Sequence, residues 1–395
     1  MEQRTADRSL KTTMQLAYQK PLVGQRVGAV FGSFAPLHRG HLDIIYRAKK
    51  ENDAGCIVIV CGNKGDKGGD AMPLALRYQY VKEFFKDDEL VAVYAVDDDA
   101  VGFVDYSMEN WMPWMREFQK IYSRAVDGLA EVTWYIGDKQ YHEDLTALGY
   151  SSVLTDRGAY PISGTVIRKN PLRHWDEIAL PFRRAFSHNI LVIGTASEGK
   201  STLVADLAKY FGTSYAHEWP RDYMEKYSLN DWDLRSEHFL AFLSGQNKHI
   251  IERMESPENR GVFFADSDAT TTDMYAEHYA LKKQCAMTVD EYIKIVKPAA
   301  EFYARQIKWN RIFLLPPHGV FVDDHSRYME DASMEQRQIL FERMNRRVVS
   351  LRWLNKVEVL RGSYAENFEA IKSYVNGVYR KAFMDTDAAD GRIER

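Results

Sequence analysis

The chain has 395 residues, 45% hydrophobic and 27% charged, with a formal net charge of -4 at pH 7. That composition excludes an intrinsically disordered chain and gives no bulk electrostatic sign of a nucleic-acid binder, and the length favours two or more cores. Three cysteines are too few for a disulfide scaffold or a structural zinc site.

Residues 1–26 read as a short leader with no apolar centre of a secretory signal. Residues 10–19 have the length of one or two helical turns, too little for a helix-turn-helix domain. From Val27 strand and helix alternate. Strands are predicted at 27–31, 56–61, 90–94, 132–136 and 152–154, with helices over 41–50, 74–85 and 111–129. Near-continuous apolar strands separated by amphipathic helices imply a parallel sheet covered on both faces. A segment rich in Pro, Arg and His runs over 168–188; its 171–187 part is the natural connector, and 172–186 has short helical character.

The pattern restarts over residues 188–385. Strands are predicted at 189–193, 261–265, 311–315 and 357–360, and helices at 201–210, 236–253, 271–282, 289–306, 334–349 and 365–374. Glu342, Arg343, Arg346 and Arg347 are expected on a solvated side of their helix. Residues 386–395 are a charged tail expected to be disordered. The fold class is α/β with two parallel-sheet domains, 27–170 and 188–385. No apolar run reaches membrane-spanning length, and the cysteine usage suits a reducing, cytoplasmic compartment.

Gly32-Ser33-Phe34-Ala35-Pro36-Leu37-His38-Arg39-Gly40-His41 follows the first buried strand. Gly32 lets a phosphate approach the backbone, and Gly40 and His41 open a helix whose free N–H groups face an anion. His38 and His41 are placed to stabilise charge developing on an α-phosphate. A His-x-x-His pair alone fits a metal site or a helix surface equally well. The full string resembles the signature G-x-F-x-P-x-H-x-G-H of a nucleotidyltransferase superfamily. That superfamily's second signature, I-S-x-T-x-x-R, is similar to Ile162-Ser163-Gly164-Thr165-Val166-Ile167-Arg168. The resemblance implies a HIGH-type, Rossmann-like domain that joins ATP to a phosphorylated acceptor and releases pyrophosphate. Ser33, Phe34, Ser163, Thr165 and Arg168 would surround the nucleotide.

The acceptor is less legible. Trp111 and Trp114 are either plates for a flat cationic base or core residues. Arg77 either serves the phosphates or faces solvent. Lys64 and Lys67 lie in a Gly-rich loop, near phosphate or in water.

Gly194-Thr195-Ala196-Ser197-Glu198-Gly199-Lys200-Ser201-Thr202 satisfies G-x-x-x-x-G-K-S-T after a strand and before a helix. Its backbone would cradle phosphate, with Lys200 on the β/γ-phosphates and Ser201 on Mg2+. Asp266 ends a strand, as a Mg2+-associated acid or as a turn cap. This half resembles the ribosylnicotinamide kinase domain of the NadR-type bifunctional enzymes. The resemblance is carried by Glu218 and Arg221, by Asp266-Ser267-Asp268 with Thr271 and Thr272, by Asp323-Asp324-His325-Ser326-Arg327, and by Arg337. Phe321 and His325 depart from the family's Trp and Gly.

The resemblance implies that nicotinamide riboside is phosphorylated by ATP and that the mononucleotide is then adenylylated to NAD. Asp268, Arg221, Asp323 and Asp324 would meet substrate, while Arg327 and Arg337 would meet ATP. Either Asp266 or Glu218 would orient the ribose hydroxyl. Some members carry an N-terminal DNA-binding domain; the catalytic pattern here starts near residue 27, so specific DNA binding is not expected. A similar pair acting on another vitamin-derived substrate and an NAD-responsive regulator are the alternatives. Homo-oligomerisation and the choice between nicotinamide and nicotinic acid stay open.

Overall fold

A computed structural model describes residues 13–14, 19–62, 72–102, 108–156, 162–318 and 333–384. The chain forms two compact units, Met1–Ala185 and Phe186–Arg395.

The first unit is built on one sheet. Its strands are β1 (Thr13–Met14), β2 (Arg26–Gly32), β3 (Cys56–Gly62), β4 (Val91–Asp97), β5 (Glu131–Ile136) and β6 (Ser152–Leu154). They lie in the order β1-β4-β3-β2-β5-β6, with β1 antiparallel to β4 and the rest parallel. Every residue of β3 is buried, as a strand covered on both faces requires. Helices α1 (Arg39–Glu51), α2 (Leu74–Phe84), α3 (Met108–Ala125), α4 (Lys139–Ala147) and α5 (Gly164–Lys169) alternate with the strands. Within the stretch 10–19 read as helical turns, Thr13 and Met14 instead pair with Val96 and Ala95 as an edge strand, and residues 10–12 and 15–18 lie outside the described residues. Leu22 also joins the core, at 2% exposure. The predicted connector holds two short 3-10 turns and α6 (Arg183–Phe186). Ile178 bridges His38, and Ala179 N–H donates to the Leu37 carbonyl at 3.1 Å.

The second unit has strands β7 (His188–Gly194), β8 (Tyr215–Ala216), β9 (Val262–Ala265), β10 (Arg311–Leu315) and β11 (Val357–Val359), all parallel in the order β11-β10-β7-β9-β8. Its helices are α7 (Lys200–Phe211), α8 (Trp219–Lys226), α9 (Ser236–Glu255), α10 (Ala269–Lys282), α11 (Val289–Glu291), α12 (Lys297–Ala304), α13 (Met334–Ser350) and α14 (Tyr364–Met384). The helix predicted at 289–306 forms as one unbroken helical run over 289–304, with a π-helical turn at Tyr292–Val296 between α11 and α12. Arg343 and Arg347 are not solvated as expected. They are largely buried and pair with Glu277, and Arg347 also pairs with Asp273 at 2.5 Å. The apolar faces of α10 and α13 bring these charges together, and the pairing offsets the desolvation that burial imposes. Among the described residues no helix is long and apolar enough to cross a membrane.

Candidate functional site

In the first unit the strand order reverses between β2 and β5, the place where open α/β sheets bind ligands beyond the strands' carboxyl ends. Gly32 ends β2 there, and Ser33 and Phe34 turn the chain, with Phe34 fully buried at φ 43°. His38 is the N-cap residue of α1 and Gly40 lies in its first turn. The His38 carbonyl accepts from the amides of His41 and Leu42 at 2.9 and 3.1 Å. The two imidazoles stack with centroids 3.7 Å apart, and Phe34 meets His41 edge-on at 5.0 Å.

The second signature touches the first. Ser163 caps α5 by accepting from Val166 N–H at 3.3 Å. Arg168 donates through Nη1 to the Ala35 carbonyl and through Nη2 to Thr165 Oγ1 at 3.1 Å. A Cβ on Gly164 would stand 2.8 Å from the Ala35 oxygen, so a glycine is needed for the two motifs to meet. Their amides, imidazoles and guanidinium form one electropositive wall at a helix start, which suits a polyphosphate.

Arg77 does not face solvent. It is completely buried, with Nε on the Met72 carbonyl at 2.9 Å and Nη1 on the carbonyls of Cys61 (3.0 Å) and Ser33. It braces the glycine turn against the end of β3. Trp111 and Trp114 match their core alternative, at 1% and 2% exposure. They pack with Phe31, Trp134 and Tyr141, and Trp111 Nε1 donates to Asp144 at 3.3 Å. Such rings are already covered by apolar neighbours, which is the ordinary way a core absorbs large aromatic area. Lys64 and Lys67 lie outside the described residues.

In the second unit the order reverses around β7. Gly194 ends that strand, Gly199 caps α7 at φ 71°, and Lys200, Ser201 and Thr202 form its first turn. Lys200 Nζ donates to the Thr195 carbonyl at 2.7 Å, so the lysine folds over its own loop. Asp266 follows β9 and is 2% exposed. Neither of its carboxylate oxygens has a hydrogen-bond partner. Burial raises its pKa, the neighbouring Ser201 hydroxyl offsets part of that rise, and the Glu218 charge adds to it. An unpartnered buried carboxylate beside the serine of a phosphate loop is a fitting oxygen donor set for a hard divalent cation. Among the described residues no group of three or more His, Cys, Asp or Glu is placed to hold a metal ion by itself. A cation there would therefore complete its shell with phosphate and water oxygens, as Mg2+ commonly does.

Glu218 is the N-cap residue of α8 and accepts from Arg221 Nε at 2.7 Å. The two residues stand three apart in sequence as an ion pair, with Glu218 the more buried partner. Asp268, expected to meet substrate, is 2% exposed and caps α10, accepting from Thr270 N–H at 3.0 Å and Trp309 Nε1 at 3.2 Å. A side chain holding both is tied to the fold. Arg337, expected to meet ATP, lies in the first turn of α13. At 2% exposure it pairs with Glu198 and donates to the His318 carbonyl at 3.0 Å. The charge of a buried guanidinium has to be compensated, and Glu198 does so. Asp323, Asp324 and Arg327 lie outside the described residues.

Two residues here have no sequence signal strong enough to find them. Glu198 occupies a variable position of its glycine loop. Gln246 lies inside an amphipathic helix and reaches the loops around Glu218 and Asp266.

The fold and its two strand-end cradles define a protein with a nucleotidyltransferase-like unit followed by a P-loop unit. Residues 29–170 match the cytidylyltransferase-like family and residues 189–367 an AAA domain. The trifunctional NAD biosynthesis/regulator protein NadR of Salmonella typhimurium is 28% identical over 293 residues, covering 70% of this chain and 69% of the relative. A crystal structure of NadR protein in complex with NR aligns at 30% identity and a TM-score of 0.74, covering 90% of this chain and 97% of that one. A NadR structure in complex with NAD and AMP-PNP aligns at 28% identity and a TM-score of 0.72, covering 90% of this chain and 98% of that one. The chain belongs to the NadR family.

Proposed function

We propose that this chain makes NAD in two ATP-dependent steps. The second unit phosphorylates nicotinamide riboside, and the first joins the resulting mononucleotide to an adenylyl group and releases pyrophosphate. The observation that carries this reading is the alignment, over nine-tenths of the chain, with NadR proteins bound to NR and to NAD with AMP-PNP.

In the kinase step Lys200 exchanges the Thr195 carbonyl for phosphate oxygens, and the amides of the 194–199 loop hold the β-phosphate. Ser201 and Asp266 would hold Mg2+, which would supply positive charge against the phosphates. Glu218, beside Asp266 and less deeply buried, orients the ribose hydroxyl for in-line attack. In the adenylyl-transfer step the nucleophile is already a phosphate oxygen, so no general base is required. His38, His41 and Arg168 hold two anions together, with Ser163 and Thr165 lining the same wall, and stabilise charge at the α-phosphate. The reading suits a reducing cytoplasm, in which Cys56, Cys61 and Cys285 stay free thiols.

The test is product analysis by mass, with ATP and Mg2+ and with riboside and mononucleotide supplied separately. Lys200→Ala is expected to abolish use of the riboside alone, and His41→Ala to abolish conversion of the mononucleotide alone. Loss of both activities in either folded variant would overturn the two-site reading.

A further inference from the structure

We infer that Gln246 is a positioning residue for phosphoryl transfer, holding Glu218 and Asp266 in register through one buried carboxamide. The inference rests on the reading above, in which those two carboxylates serve the kinase step.

Gln246 lies on α9 and is completely buried. Its Oε1 accepts from Trp219 N–H at 2.8 Å. Its Nε2 donates to the His217 carbonyl at 3.0 Å and to the Ser267 carbonyl at 3.4 Å. One planar group is thus bonded to the backbone on both sides of Glu218 and to the residue following Asp266. The Trp219 amide is one of the unpaired donors at the start of α8, so the bond also completes that helix end. Among uncharged side chains only a primary amide offers two donors and an acceptor in this geometry, and asparagine is one methylene too short to span the same gap.

The neighbouring residue reinforces the clamp. A Cβ on Gly245 would stand 2.2 Å from the Trp219 ring, so that indole lies directly on bare helix backbone. The peptide carrying Glu218 is therefore fixed by the Trp219 ring and by the bonds on either side of it. Glu218 and Asp266 sit close enough for the charge of the first to act on the second. Their separation sets where a hydroxyl and a cation-bound phosphate can meet, and small misplacements at a reacting centre cost large factors in rate.

The test uses the full chain and measures both activities. Gln246→Met keeps the volume and removes all three bonds. It is expected to lower the kinase kcat about tenfold or more, to leave the KM for ATP within about twofold, and to leave adenylyl transfer unchanged. Gln246→Glu, which still accepts from Trp219, is expected to fall between wild type and Gln246→Met. In a Glu218→Gln background, Gln246→Met is expected to lower kcat by clearly less than in wild type, since part of the lost interaction acts through Glu218. Full additivity of the two substitutions, or a raised KM for ATP with kcat retained, overturns the inference. Should wild type phosphorylate no riboside, the kinase reading fails by itself. The clamp is then read by hydrogen exchange: Gln246→Met must speed exchange of the Trp219 amide, and an unchanged rate overturns the positioning role.

Discussion

Arg337 on α13 and Glu198 within the second glycine loop form an ion pair whose partners are only 2% and 0% exposed at their side chains. Glu198 also accepts from Thr195 Oγ1 at 3.0 Å and from His318 N–H at 3.1 Å, and meets His318 Nδ1 at 2.9 Å. The phosphate loop is thus held from within by a carboxylate whose partners come from the loop itself, from the residues after β10 and from α13. Replacing Arg337 by Met leaves that carboxylate buried without its cation, at a cost of about 3–5 kcal/mol. Denaturant midpoints are expected to fall accordingly, ATP affinity of the kinase unit to weaken, and adenylyl transfer to persist. Glu198→Met combined with Arg337→Met is expected to recover much of the stability, because no buried charge remains.

Asp266 and Asp268 are two residues apart and predict opposite phenotypes. Asp266 is buried, with the Ser201 hydroxyl and the Lys200 charge offsetting only part of its desolvation, so Asp266→Asn removes a costly buried charge. Kinase turnover is expected to drop by roughly a hundredfold or more, while thermal stability holds or rises. Asp268→Ala instead strips a helix cap and orphans Trp309 Nε1. Its expected cost is about 2–4 kcal/mol in stability, with the KM for riboside unchanged at a temperature where the protein stays folded. Calorimetry beside steady-state kinetics separates the two.

Gly164→Ala tests the contact between the two signatures of the first unit. The added methyl would sit 2.8 Å from the Ala35 carbonyl, backbone that cannot swing aside as a side chain would. Arg168 donates to that same oxygen. Adenylyl transfer is expected to fall about tenfold to a hundredfold, with riboside phosphorylation intact. An unchanged rate would show that the two motifs need not touch.

Acid is expected to destabilise the second unit through His188. Burial holds this imidazole neutral, moving its pKa from 6.5 to about 4, and Nε2 lies 3.0 Å from the Tyr374 hydroxyl. The unfolded chain takes up the proton first, so stability is lost as pH falls from about 6.5 towards about 4, by at most about 3 kcal/mol. His249, lowered to about 4 mainly by burial, acts in the same direction. Asp266, Asp268 and Asp273 are raised by burial and act with the opposite sign. The His188 share is therefore the difference in urea midpoint between wild type and His188→Gln at pH 7 and pH 5. A variant as acid-sensitive as wild type would refute it.

Both glycine-bearing loops were legible because their chemistry is local: an apolar strand, a turn and a helix start lie within about twenty residues. The parallel sheets were legible for a similar reason, since β3 and β7 are apolar almost throughout. What escaped was long-range. Arg77 and Gln246 bond to carbonyls and an amide distant in sequence, and no side-chain pattern marks such partners. Arg343 and Arg347 read as solvated because the acids that neutralise them lie on α10, some seventy positions away. Asp268 carries the local sign of a cap, an acidic residue directly before a helix.

The guanidinium of Arg77 reaches main-chain oxygens at Ser33, Cys61 and Met72. A grip on the peptide backbone is blind to what hangs from it. Positions 61 and 72 are thereby free to drift among residues of similar bulk with the anchorage intact, while position 77 itself is not interchangeable even with lysine, whose single ammonium has no forked geometry to reach several separated acceptors.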